Sequence, residues 1–279
     1  MRSEIQIHDE TIEIARLTNK HPLLTTCMGE VLPGVSQVYP SITKHLTHVL
    51  DISCGPGGWM LECARRYKNA HIIGVDTRKT MVRCAANRCK AFPNIDVFHI
   101  ASYTDFDRFQ DAFFDIISLQ CIHLSVRYDQ WIHLLNECKR MLKKGGCIRF
   151  TTFEYARSNS PALQKLHEWY SQIEDRKQSF SHTRQDQGSL YELEPLLSDH
   201  FFETFLLPHL INFSYGTAIH KGWTHDLLLQ AQQDLPYMAH HRIITQEQII
   251  PFLHQMEIEF ALPNFHALQY GMTIWGRKN

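Results

Sequence analysis

What the chain lacks narrows the field before any motif is read. No two cysteines stand in a Cys-x-x-Cys spacing, so a structural zinc site of the finger or ribbon kind has no ligand pair to start from. No run of about 18 apolar residues is available to span a bilayer. The opening MRSEIQIHDETIEIAR mixes acids and bases and has no apolar centre of the kind a secretion signal needs. Blocks of like charge are also missing: 28 Lys and Arg are set against 29 Asp and Glu, whereas binding to a phosphate backbone asks for a basic surface. Repeats and low-complexity tracts are absent. Together these absences predict a soluble, cytoplasmic protein without a nucleic-acid partner or a membrane span.

The eight cysteines, at 27, 54, 63, 84, 89, 121, 138 and 147, are scattered, and six fall in segments that read as strands or helices. That distribution predicts reduced thiols acting as small buried fillers, Cys54 and Cys121 included, and no disulfide framework. Of the 18 histidines only His240 and His241 are neighbours, so no metal site is expected.

At 279 residues and 44% apolar, the chain suits one Rossmann-sized core carrying insertions. From residue 47 short apolar runs alternate with amphipathic stretches, the mark of a parallel sheet covered by helices. Strands are predicted at 48–53, 70–76, 95–100, 113–120 and 147–153, with helices at 58–67, 79–91 and 128–142 between them. The division expected is an N-terminal lid segment over 1–46 with a helix at 8–17, a cofactor-binding core over 47–155, and a cap insertion over 156–188. A core helix and strand over 189–215, a second helical insertion over 216–260 and a closing strand over 261–279 complete it. Thr245 with Gln248 three residues on predicts a capped helix start.

The chemistry is carried by Val49 to Trp59, VLDISCGPGGW, where a strand runs into a glycine-rich turn and a helix. Ligands of open α/β sheets bind at the carboxyl ends of such strands. Gly55 and Gly57 allow a tight turn and close backbone approach, and Asp51 can brace the loop or reach a ligand amino group. A P-loop would need Gly-Lys-Ser/Thr, and Gly58-Trp59-Met60 offers none of it. A dinucleotide fingerprint fails too, because Met60 occupies its third glycine position. Asp76 ends the next strand, IIGVD, about twenty residues after the glycines, where a carboxylate can accept both ribose hydroxyls. A glycine turn without phosphate features and a ribose acid point to an adenosine ligand that carries no phosphate.

On these residues, and on FFDIISLQCIHL and ECKRMLKKGGCIRFTTFE further on, the chain resembles the class I S-adenosylmethionine-dependent methyltransferases. More loosely it resembles the small-molecule branch that includes ubiquinone- and menaquinone-type enzymes. The resemblance covers about residues 46 to 155. It implies an α/β, Rossmann-like seven-stranded sheet in the order 3-2-1-4-5-7-6, with only the last strand antiparallel, a match for the tail YGMTIWGRK. It also implies S-adenosylmethionine as cofactor and S-adenosylhomocysteine as product. The cofactor residues it implies are Asp51, Ser53, Cys54, Gly55, Gly57, Asp76, Thr77, Ser102, Tyr103 and Gln120. The chain departs from the family in two places: Ser53 replaces the first loop glycine, and Ser102 stands where an acid usually meets the adenine, with Asp105 as a substitute.

Methyl transfer requires two partners held close, aligned and dry, and needs a base only when the acceptor must lose a proton. His123, after the fourth strand, is the first candidate for that base, followed by Glu154 and Tyr39. No NPPY or DPPY follows the fourth strand, which disfavours nucleobase and glutamine amino groups. The insertions predict a small, enclosed acceptor with apolar character, and a homodimer is compatible with the chain. An RNA or protein methyltransferase, or a cofactor-binding protein without catalysis, is the alternative.

Overall fold

In the first, second and fourth strands the residues of VLDI, IIGV and IISL alternate between two helix layers and are buried, which is why they form the middle of a parallel sheet. The computed structural model describes residues 10–122, 126, 128–177, 190–199 and 203–279. In chain order the elements are α1 (Glu10–Met28), α2 (Val35–Val38), α3 (Pro40–Lys44), β1 (His48–Ile52), α4 (Gly58–Arg66), β2 (His71–Asp76), α5 (Lys79–Cys89) and β3 (Ile95–His99). Then come β4 (Phe114–Gln120), α6 (Tyr128–Met141), β5 (Leu142–Phe153), β6 (Arg157–Ser158), α7 (Pro161–Lys177), α8 (Leu190–Ser198) and β7 (Glu203–Asn212). The chain ends with α9 (His220–His240), a 3-10 turn (Gln246–Gln248), α10 (Ile249–Ala261) and β8 (Ala267–Arg277).

The sheet path is β3-β2-β1-β4-β5-β8-β6, with β7 also paired to β8. The two-residue β6 meets β8 at Leu268 and Ala267, just beyond the Phe153–Gly271 pair where β5 leaves it. β7 runs along the other side of β8, from Glu203 opposite Arg277 to Asn212 opposite Leu268. Among the seven longer strands the order is therefore 3-2-1-4-5-8-7, the expected pattern with β8 as its antiparallel member. Pro208, which cannot donate to a ladder, sits on the edge strand β7.

One face of the sheet, with Leu50, Ile117 and Phe150, packs on Trp131, Leu134 and Cys138 of α6. The opposite face, with Val49, Ile116 and Cys147, packs on Trp59, Met60 and Cys63 of α4. Two buried indoles pin the connecting segment after α1 to this second face: Trp59 Nε1 donates to the Val31 carbonyl and Trp275 Nε1 to that of Pro33, both at 2.9 Å. A third cluster, built on Leu24, Trp169, Trp223, Phe252 and Phe260, joins α1, α7, α9 and α10 into a cap.

The N-terminal helix departs from expectation. Sequence signals place it at 8–17, yet α1 continues through Pro22 to Met28. Long-range partners described below override the local stop signal, and the Thr26 hydroxyl bonds the Pro22 carbonyl at 2.8 Å. The 3-10 turn starts as expected, with the Thr245 N–H donating to Gln248 Oε1 at 2.7 Å. No helix among the described residues is long and apolar enough to cross a membrane.

Candidate active site

The turn after β1 is shaped by three residues with positive φ: Ser53 at 66°, Gly55 at 52° and Gly57 at 81°. At Gly57 glycine is required twice over, because a Cβ there would also lie 3.2 Å from both Ala85 Cβ and Met60 Cε. The Ser53 and Cys54 N–H groups both donate to the Val75 carbonyl, at 2.9 and 3.0 Å, which ties the turn to the end of β2. Asp76, fully buried, completes the tie: Oδ2 accepts the Gly55 N–H at 2.9 Å and Oδ1 the Arg78 N–H at 2.8 Å. Tyr103, past β3, lies with its hydroxyl against Ser53 and Thr77, and burial followed by the Asp76 charge raises its pKa. The first three strands thus deliver Ser53, Gly55, Asp76, Thr77 and Tyr103 to one place. Ser102 turns aside, its hydroxyl engaged with Thr104 Oγ1 at 2.9 Å, and Cys54 is buried.

Next to this crevice the sheet carries a polar row that an interior normally excludes. Asp51 of β1 pairs in register with Ser118 of β4, and Ser118 with Arg149 of β5. Arg149 is fully buried; its Nη1 donates to Ser118 Oγ at 3.0 Å and its Nη2 to Gln120 Oε1 at 3.4 Å. Burial pushes the Asp51 carboxyl up to about 8, with the Arg149 charge opposing and the Asp76 charge adding. Burial also brings the Arg149 guanidinium down to about 10. One row further, His209 Nε2 and the Thr273 hydroxyl are 2.8 Å apart, and Thr273 is bonded to Thr151 at 2.8 Å.

Helix α1 closes over the crevice. Leu17 reaches within 3.8 Å of the Gly55 Cβ position and the His21 side chain within 3.0 Å of that of Gly58. His21 Nε2 meets Glu62 of α4 at 2.7 Å, and Thr25 donates to the same carboxylate at 2.9 Å. Toward the cap, Asp226 of α9 accepts from Arg16 at 3.0 Å and from Lys20 at 2.7 Å, while Glu13 takes the remaining Arg16 donors. Burial opposes the Arg16 charge, yet these carboxylates raise its pKa overall.

The residues expected to do proton chemistry are not gathered at one point. His123 lies outside the described residues. Glu154 follows β5 directly, its N–H on the Tyr270 carbonyl, so it stands at the carboxyl edge beside the cap. Tyr39 is buried at the other end of β5, with the Arg277 guanidinium 5.6 Å from its ring and Cys147 and Glu203 as its charged surroundings. Burial pushes its phenol up to about 12. That end is about 20 Å along the strand from Phe153, so Tyr39 is not brought to the crevice. Cys121, expected as a buried filler, is exposed and adopts a left-handed φ of 53° at the end of β4. Sequence reasoning passed over Arg149, His209 and the Arg16–Asp226 pair; only Arg149 leaves a local trace, as a charge inside the apolar strand CIRFTTF.

The segment from β1 to the turn before Cys147 has a counterpart among known families, whose model, described as a methyltransferase domain, matches residues 49–146. No curated protein matches the chain by sequence. In three dimensions it is similar to a Haemonchus contortus phosphoethanolamine N-methyltransferase 2 in complex with phosphomonomethylethanolamine and S-adenosylhomocysteine, at 12% identity and a TM-score of 0.57. That match covers 98% of this chain and 59% of the other, so the chain spans well under two thirds of that enzyme. It is also similar to a Galdieria sulphuraria protein assigned as a sarcosine dimethylglycine methyltransferase, at 15% identity and a TM-score of 0.52, covering 88% of this chain and 83% of that one. At these identities the likeness is one of fold.

Proposed function

We propose that the chain binds S-adenosylmethionine between the glycine turn and Asp76 and transfers its methyl group to a small molecule enclosed by the cap. The reading is carried by one observation: a fully buried carboxylate ends β2 and faces the Gly55 N–H across a turn with no phosphate-binding residues. That donor set fits an adenosine with free ribose hydroxyls, because a carboxylate accepts hydroxyl protons and would repel a phosphate. Asp76, Tyr103 and the Gly55 backbone would hold the nucleoside, and Asp51 and Gln120 border the space beside it.

When bound, the cofactor supplies a methyl carbon made electrophilic by a positively charged sulfur. The residues of this chain contribute alignment and exclusion of water. Leu17 and His21 of α1 cover the turn, and the Arg16–Asp226–Lys20 cluster fastens α1 to the cap helix. A cap packed on Trp169, Trp223 and Phe252 favours a small acceptor over RNA or a protein chain, and the small-molecule branch of the class is our reading on that ground. His123 and Glu154, both next to the carboxyl edge in sequence, are the proposed bases for an acceptor that must be deprotonated. Calorimetry with S-adenosylhomocysteine tests the cofactor assignment: Asp76→Ala is expected to weaken binding about 100-fold. Undiminished affinity in that variant removes the ribose assignment.

A further inference from the structure

Between α1 and the helices α4 and α5 lie two clefts of about 390 Å³ each, and neither is lined by Asp51, Gly55, Asp76 or Tyr103, so they are separate from the crevice. They meet at Glu62 and Arg65, which line both. Three guanidinium groups open onto them: Arg88 onto the first, Arg65 onto both and Arg66 onto the second. Among the described residues none of the three has a carboxylate within 4.0 Å. The acids that line the clefts are turned to other partners, Glu62 to His21 and Thr25 of α1, and Glu30 to the Gly34 N–H. In a chain with 28 basic and 29 acidic residues this is a local excess of positive charge, and a concave surface concentrates its field.

The three arginines are also held in a way that keeps donors free. Arg65 lies 5.4 Å from the centre of the Phe92 ring and Arg66 5.6 Å from that of Tyr67, contacts that engage the face of a guanidinium and leave its N–H edge open. Arg88 commits Nη1 to the Pro56 carbonyl and the Thr18 hydroxyl, which fixes the side chain where α1, α5 and the turn meet. Its Nε and Nη2 remain. Planar forks with open edges are the donors that take phosphate oxygens in pairs.

The geometry points to a second binding site, for a small molecule that carries phosphate or pyrophosphate, its oxygens held by Arg65 and Arg88 with Arg66 at the far end. The occupant also touches α1, at Thr18 and His21. Since His21 and Leu17 cover the glycine turn, an occupant fastens the helix that closes the crevice. The site stands apart from the function proposed above, and only this link to the cofactor rests on that reading.

Calorimetry on the intact chain with inorganic pyrophosphate, free of metal and at fixed ionic strength, tests the site. Arg65→Gln is expected to weaken binding about 10-fold and Arg66→Gln about 3-fold. Both guanidinium groups are exposed and outside any hydrogen bond, so the two variants should melt with the unaltered chain. Arg83→Gln, at an exposed arginine of α5 that lines neither cleft, should change nothing. Pyrophosphate that does not bind overturns the proposal. So does binding that Arg83→Gln weakens as much as Arg65→Gln, because diffuse surface charge is then the attractant. With S-adenosylhomocysteine at saturation, pyrophosphate is expected to bind at least as tightly as before; displacement would place it in the crevice and overturn the second site. Should the chain bind no S-adenosylhomocysteine at all, the cofactor reading fails, while a loss of pyrophosphate affinity in Arg65→Gln still upholds this one.

Discussion

The crevice half of the molecule and the cap half are held together by different means. Around β1, β2 and β4 the side chains are apolar and closely packed, Val49, Leu50, Ile72, Ile116 and Leu119 having no exposed surface at all, and the turn is tied by backbone N–H groups. Between α1 and α9 a layer of charge is added to the apolar cluster they share: Arg16, Lys20 and Glu13 on one helix, Asp226, Gln230 and Gln233 on the other. Packing of the first kind is non-directional and survives small displacements. A buried charge cluster is directional and fails when one member is removed.

The sharpest way to break this contrast is Asp226→Ala. The variant strands Arg16, 8% exposed, and Lys20 without their shared carboxylate, leaving Glu13 as the acid beside Arg16. A loss of about 3 kcal/mol is expected, read as a fall in melting temperature of roughly 6–10 °C. Protection of α1 amides from hydrogen exchange should drop while that of β1 and β4 stays. An equal loss of protection in all three elements would show that the halves are not held separately.

A smaller effect sharpens the description of the crevice side. Gly57 and Gly29 have similar positive φ, 81° and 83°, yet a Cβ at Gly57 meets Ala85 and Met60 at 3.2 Å while one at Gly29 meets nothing within 4 Å. Gly57→Ala therefore combines backbone strain with crowding, for about 2–3 kcal/mol, and Gly29→Ala carries the strain alone, about 1 kcal/mol. Denaturant midpoints of the pair measure the difference. If the two variants lose the same stability, packing at the turn is slack enough to absorb a methyl group and the tightness argued for the crevice is wrong.

The same contrast explains what could be read from the residues beforehand. The turn and Asp76 were legible because their signals are local: glycines where φ turns positive, and an acid at the end of an apolar strand a fixed distance on. Strand order came from the resemblance, and the two-residue β6 left no signal of its own in ARSNS. The length of α1 was hidden because Pro22 reads as a stop, and what carries the helix past it is a set of partners in α4 and α9. Arg16 and Asp226 are 210 positions apart, and neither stands out in its own segment. Arg149 was visible in principle, since an arginine inside CIRFTTF breaks an otherwise apolar strand, but only the register shows that it shares a row with Asp51.

The smallest of the expected effects concerns His209, a polar group on the boundary between the two halves. It is 8% exposed, bonded to Thr273, and kept neutral down to about pH 4 by burial first and by the Arg149 charge second. The unfolded chain takes up a proton near the ordinary histidine value of about 6.5, while the folded chain resists until about 4. Between those values the unfolded state binds more protons, so stability rises with pH across the window and is fully present above it. Set against His209→Gln, which keeps a hydrogen-bonding group but cannot titrate, the unaltered chain should gain on the order of 1 kcal/mol between pH 4 and 6.5 and nothing more above pH 7. Paired melting curves at several pH values measure the gain. A gain that instead grew above pH 7 would carry the wrong sign for a histidine buried neutral, and would remove His209 as its source.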